Sequence, residues 1–567
     1  MLHLVRRSLL AAGLFGFSLP AVADLTPEQK LIDFQQLAAT YAKNYAPYEW
    51  KVEVEKFDLF DLRPWLEKVK NSKDDIEFFE ICFQYIGSLN DGHSQLQLPS
   101  DFQAYLGFVV DLYDDKPLID LIDRRRLPPA RYPFAEGDEL ISVDGLTVDE
   151  WIAKLLPYNS TGNPRSNRRF ALQTITFRPQ VFYPAAHRIG DTATVVIRSG
   201  GKDESYSIPW SKTGTPMENA GRIPNFRTAA PRRPAVAASD DVMPGSKLLA
   251  SLQNWRMSRP VNSVLNFGSL SPIYRLPANF QVRLGRALTD QFLSGTFTSG
   301  TTRIGFIRIP DFDPASTTLA LQQFAAEIAF FEANTDGLVI DDMRNPGGNA
   351  CYMNELIRLL TPYRFRSIGL EIRATANWIA AFSSEIENAK ALGAPAATIA
   401  LLQTYLDSIK TAYAENRGRT GPLPICTVSL DLPPATDART GRIAAYTKPI
   451  VVLVDEMSAS AGDAFPATLQ DSARATILGY RTMGLGGSVI QFDTTSFSEI
   501  IGGVTVTLMN RKDPIVTSEY PTAPYVENIG VRPDAYYDYM TKANLTDRGA
   551  AFVTHFTQVL VQSIQGR

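Results

Sequence analysis

Gly337-Leu338-Val339-Ile340-Asp341 runs directly into Asp342-Met343-Arg344-Asn345-Pro346-Gly347-Gly348, and a helix is expected to begin near Asn349. A short apolar run without polar alternation reads as a strand buried on both faces. Asn-Pro-Gly-Gly then stops it. The same order returns at Pro449-Ile450-Val451-Val452-Leu453-Val454, followed by Met457-Ser458-Ala459-Ser460-Ala461-Gly462-Asp463 and a helix expected over 461–471. A further strand is expected at Arg303 to Ile309, and Leu321, Phe324, Ile328 and Phe331 mark a helix. Strands alternating with helices predict a mixed α/β fold over residues 301–567, an open sheet with flanking helices. A helical excursion interrupts it at 371–416, where Leu402, Tyr405, Leu406, Ile409 and Tyr413 share a face that packing explains.

Upstream, residues 24–99 read as an N-terminal helical region, with Phe34, Leu37, Ala38 and Tyr41, then Phe78, Ile81, Cys82 and Tyr85, at helical spacing. It ends in the turn Asn90-Asp91-Gly92-His93-Ser94 and a short strand expected at 95–98. Residues 100–211 form a β-rich module. Its Gly137-Asp138-Glu139-Leu140-Ile141-Ser142-Val143-Asp144-Gly145, followed by a helix near Asp149, resembles a PDZ domain, and an unrelated hairpin is the plainer alternative. In that resemblance Tyr105-Leu106-Gly107-Phe108 is the loop that receives a carboxylate or a strand. Residues 212–300 break the pattern as a long insertion, rich in Pro, Ala and Arg from Thr213 to Pro244. Residues 1–23 read as a signal peptide: Arg6 and Arg7, an apolar run from Ser8 to Pro20, and Ala21-Val22-Ala23 before Asp24. An exported protein, periplasmic or secreted, without an integral membrane segment after signal removal is expected.

Composition narrows the function classes. With 567 residues, 45% hydrophobic and 20% charged, the chain is a multidomain globular protein, and its net charge of −4 offers no broad positive field for nucleic acid. Three cysteines, Cys82, Cys351 and Cys426, are too few for a disulfide framework or a zinc site. At most one bridge can form, and buried inert thiols are the reading preferred. No metal and no cofactor are expected.

Both strand-to-helix turns suit anion stabilisation, because helix N-termini present unpaired N–H groups and glycine lets the backbone come close. Alone, each is ambiguous: Gly347-Gly348 reads equally as a tight turn, and Ser460 as an N-cap. A serine nucleophile needs a base. His3 leaves with the signal, and surface or core roles suffice for His187 and His555. That leaves His93, in a fixed and exposed turn. Asp91 and Asp463 read as caps of turn and helix.

In this order, the two junctions, the histidine turn and the PDZ-like module resemble the carboxyl-terminal-processing (tail-specific) serine peptidases. Gly337 to Gly348 is similar to that family's strand and glycine turn. Val452 to Gly486 is similar to its nucleophile segment, which places the family's serine at Ser460, with Ser458 as rival. Where most members carry a lysine base, this chain has Leu485, which cannot take a proton. The stretch Glu527-Asn528-Ile529-Gly530-Val531-Arg532-Pro533 resembles instead the histidine- and glutamate-using branch of the chlamydial protease-like activity factor.

The resemblance implies a crotonase-like ββα protease core and a serine endopeptidase acting on protein or peptide substrates. Its catalytic residues would be Ser460, His93 and Glu527, with backbone N–H groups of Ala461 and of Gly347 or Gly348 as the oxyanion hole. It also implies an inhibitory segment within 212–300 that is cut on activation, and a homodimer. A catalytically silent peptide- or ligand-binding protein on the same scaffold is the alternative. An acyl-CoA enzyme of the crotonase type ranks last, having no use for the signal or the PDZ-like module.

Overall fold

The computed structural model describes residues 24–219, 247–257, 266–493, 495–498 and 500–566. The signal region 1–23 and most of the 213–244 stretch lie outside them. At the centre is a seven-stranded open sheet ordered Gln281–Leu284, Leu293–Ser299, Thr302–Arg308, Gly337–Asp341, Ile450–Val454, Thr476–Gly479 and Ala535–Tyr536. The first two strands are antiparallel, and from Thr302–Arg308 onward neighbours run parallel. Every residue of Gly337–Asp341 and Ile450–Val454 is buried, which is why both read as unbroken apolar runs.

Alternation sorts their side chains to two cores. Ile340 and Val452 face Phe324, Ile328 and Phe331 of the helix Thr317–Asn334, while Val339, Val451 and Leu453 share a cluster with Phe552, Phe556 and Leu560 of Ala550–Gln565. Burying a side chain of this kind contributes roughly 1.5–3 kcal/mol. The sheet is therefore a rigid floor beneath its two connecting turns. The 371–416 excursion starts later than expected, because Gly369–Ile372 is a strand pairing with Thr507–Ile515. Its two helices are Ala376–Ala391 and Ala396–Ala414.

Four helices, Pro27–Asn44, Tyr48–Glu55, Arg63–Lys70 and Asp75–Gly87, make up the N-terminal region. They dock on the far end of the chain: Leu96–Gln97 pairs with Ile501–Thr505, and the Tyr41 hydroxyl donates to Gly503 O at 2.8 Å. This docking carries the histidine turn to the core.

The separate PDZ-like module is an antiparallel sheet ordered Phe108–Tyr113, Lys116–Ile122, Glu139–Val143, Thr192–Ser199 and Lys202–Pro209, with its own core around Phe108, Val110, Leu140 and Ile197. The helix Pro164–Thr176 joins it to the α/β core. Arg169 reaches Asp111 of the module at 2.6 Å and Glu456 of the core at 3.0 Å, all three side chains being buried. In the loop proposed to receive a carboxylate, the Leu106 N–H donates to Thr176 O, and the preceding strand Gln103–Tyr105 is paired on both sides.

The cysteine reading is corrected. Cys351 and Cys426 form a disulfide, and only Cys82 is a free buried thiol among the described residues. The partners are 75 residues apart, so their meeting depends on how the helical excursion folds back, which spacing does not encode. No helix of the described residues is long and apolar enough to cross a membrane.

Candidate active site

The strand Ile450–Val454 delivers Ser460 to the tip of a tight turn, and the helix Ala461–Asp471 starts immediately after it. Ser460 has φ of +62°, a conformation L-residues adopt only under constraint. Asp463 supplies that constraint. Its Oδ2 accepts the N–H of Ser460 at 2.6 Å and of Leu485 at 3.0 Å, and its Oδ1 accepts Gly484 N–H at 2.8 Å. Burial lifts the Asp463 carboxyl to about 6 despite these donors. Ser458 is directed elsewhere, donating to Asp342 O at 2.9 Å.

His93 Nε2 lies 2.8 Å from Ser460 Oγ, across 367 residues of sequence. Asp91 fixes the histidine turn, as its composition suggested: Oδ1 accepts the His93 N–H at 2.9 Å and Oδ2 accepts the Thr505 hydroxyl at 2.7 Å. Burial pushes the imidazole down to about 4, opposed by the Asp91 charge and aided by the Lys51 cation, so the ring is neutral at neutral pH and ready to accept a proton.

Glu527 arrives from beyond the last large hairpin. Its Oε2 accepts the Gly486 N–H at 2.8 Å, and its Oε1 faces Lys51 Nζ at 2.5 Å. Burial raises this carboxyl to about 8, helped by the Asp91 charge and opposed by Lys51 and the Gly486 N–H. Leu485 packs against the histidine turn; a Cβ at Gly92 would meet its Cδ2 at 2.9 Å.

The second junction adjoins the first. Gly347 has φ of +90°, and a Cβ there would meet Trp255 O at 2.2 Å, Ala461 N at 2.8 Å and Ser460 Cβ at 2.8 Å, so only glycine fits. Its own N–H donates to Asn345 Oδ1 at 2.9 Å. The helix Ala350–Leu360 follows, capped by Asn349 Oδ1, which accepts from Cys351 and Tyr352 N–H.

One part of the sequence reading is overturned. His93 was expected in an exposed turn, and both it and Ser460 are fully buried. A strand from the insertion, Asn254–Arg256, pairs antiparallel with Gly347–Asn349, Trp255 opposite Gly348. Met257 N–H donates to Pro346 O and Ala350 N–H to Gln253 O, two hydrogen-bonded pairs that flank Trp255 and Gly348. Antiparallel ladders alternate, so Gly348 N–H faces the Trp255 carbonyl. This strand, and the Lys51 contact to Glu527, were missed from sequence. The apolar Trp255 and Met257 at alternate positions were the one available signal. Among the described residues no group of three or more His, Cys, Asp or Glu is placed to hold a metal.

Residues 303–535 match the model for peptidase family S41, and residues 102–217 match a PDZ domain. The chain is 26% identical over 561 residues to a protein of Chlamydia trachomatis serovar D, covering 90% of this chain and 88% of that one. It is 24% identical over 604 residues to a Chlamydia pneumoniae protein, covering 98% and 93%. Its fold is similar to the crystal structure of mature CPAF, with a TM-score of 0.73 and 21% identity over 95% of this chain and 98% of that one.

Proposed function

Residues 303–535 make this chain a serine-type peptidase of family S41, and from that premise we propose an endopeptidase whose nucleophile is Ser460, whose base is His93 and whose acid member is Glu527. The observation that carries the reading is the 2.8 Å contact between His93 Nε2 and Ser460 Oγ. As Oγ bonds to the scissile carbonyl carbon, its proton passes to Nε2; collapse of the tetrahedral species breaks the C–N bond, and Nε2 returns the proton to the leaving amine. Glu527, if ionised, stabilises the transient imidazolium. The Gly347 N–H donates to Asn345, so Gly348 and Ala461 are the better oxyanion donors. The core is read as a crotonase-like ββα layer. Export follows from the 1–23 signal, and cell fractionation tests it.

The buried pair is the resting, inhibited state. Asn254–Arg256 lies along the edge where a substrate strand would pair, with the Trp255 carbonyl at the oxyanion corner. Activation removes this strand by cutting within 212–300. Intact-mass analysis of active enzyme should show two chains; one uncut chain refutes the step. A homodimer is also proposed, and light scattering at monomer mass would exclude it.

Burial of both reacting groups equally suits a silent binding protein on this scaffold. A fluorophosphonate probe separates the readings. Labelling of processed wild-type protein, absent in Ser460→Ala, supports the peptidase; an unlabelled, correctly processed protein supports the silent scaffold.

A further inference from the structure

We infer that Lys51, from the N-terminal helix Tyr48–Glu55, is a positioning residue of the proposed catalytic triad that acts through Glu527. The inference rests on the peptidase reading above. Lys51 and Glu527 are both fully buried, and Nζ stands 2.5 Å from Oε1. The same ammonium donates to Asn528 Oδ1 at 2.7 Å and to Asn90 O at 2.9 Å. One cation thus grips the turn that carries Glu527 and the turn that carries His93, which are more than 400 residues apart in sequence.

Its neighbours on the helix complete the grip. Trp50 Nε1 donates to Asn528 Oδ1 at 3.0 Å, and Glu55 Oε1 accepts from both Asn90 Nδ2 and Asn528 Nδ2 at 3.1 Å. Asn90 and Asn528 both sit at positive φ, +50° and +61°, so each turn is held in a conformation it would not keep unaided.

The electrostatic reason is equally local. The charge of buried Asp91 acts on both the His93 imidazole and the Glu527 carboxyl, which are buried as well. Among the described residues, the groups around them include Tyr41 and Tyr45, Glu55 on Asn528, Thr505 on the Asp91 oxygen, and Arg481, which donates to Asn528 O. None of these places a cation on the Glu527 carboxylate; Lys51 does. Even with it, burial first and the Asp91 charge second hold the Glu527 carboxyl up at about 8. A neutral carboxylic acid cannot stabilise an imidazolium, so the cation decides how much of the enzyme is competent near neutral pH.

The test uses the processed full chain, with Ser460 labelling and peptide hydrolysis followed from about pH 6 to 10. The wild-type rate should rise as Glu527 ionises. Lys51→Met should move that rise to higher pH by about one unit or more, and lower kcat about tenfold at neutral pH while leaving KM nearly unchanged. The double variant Lys51→Met with Glu527→Gln buries neither charge and should label no more slowly than Glu527→Gln alone. A folded Lys51→Met with an unmoved profile overturns the inference. So does a double variant about tenfold or more slower than Glu527→Gln, which also decides the matter if the single variant does not fold. If Glu527→Gln itself labels at the wild-type rate, the triad reading fails instead.

Discussion

The two strand-to-helix junctions have the same construction and opposite uses. At the first, Asn349 occupies the N-cap and its side chain caps the helix in the ordinary way. At the second, Ser460 occupies the N-cap, but its hydroxyl points at His93 and Asp463 takes the Ser460 N–H. A residue three positions into the helix satisfies the backbone, so the N-cap side chain is available for chemistry. The backbone records the cost: Asn349 has an extended φ of −79°, Ser460 a left-handed one of +62°.

Breaking the second junction should have the largest effect. Ser460→Gly or His93→Ala should lower turnover by about 10⁶-fold, measured on a peptide substrate with processed enzyme. Ser460→Gly should at the same time raise the unfolding free energy by about 1 kcal/mol, since glycine relieves the positive φ. A variant that is both inactive and less stable would show that the turn is not strained.

Next in size, reducing the disulfide or replacing Cys351 and Cys426 by serine should cost about 3 kcal/mol in denaturant unfolding, because the bridge closes a long loop just behind the first junction. The pH profile sharpens the role of the acid. Glu527 is held at about 8 and His93 at about 4, so if an ionised Glu527 is required the rate climbs through about pH 8. A climb near pH 4 would mean that histidine ionisation alone governs the rate. The smallest effect belongs to the first junction: Asn349→Ala should cost about 1 kcal/mol of stability and little activity.

The same contrast marks what could be read from sequence. Gly337–Asp341 and Ile450–Val454 were legible because strands buried on both faces are written as apolar runs, and their glycine- and serine-bearing turns fall where those runs stop. The start of the helix at Ala461 was legible for the same reason. Glu371 was misread as helical because its strand is set by a partner, Leu508, far along the chain. Lys51 gave no signal, since an isolated lysine on a short helix looks solvated until Glu527 and Asn528 fold over it. The burial of Ser460 was invisible too, because Asn254–Arg256 is a strand only by virtue of its pairing with Gly347–Asn349.

That pairing has a kinetic consequence. A blocking segment joined to its own enzyme competes at an effective concentration on the order of millimolar, whatever the dilution of the protein. Under the inhibition proposed here, added substrate at micromolar levels would scarcely displace it, and dilution would not wake the enzyme. Only cutting the chain on both sides of Asn254–Arg256 turns a permanent neighbour into a solute that can diffuse away.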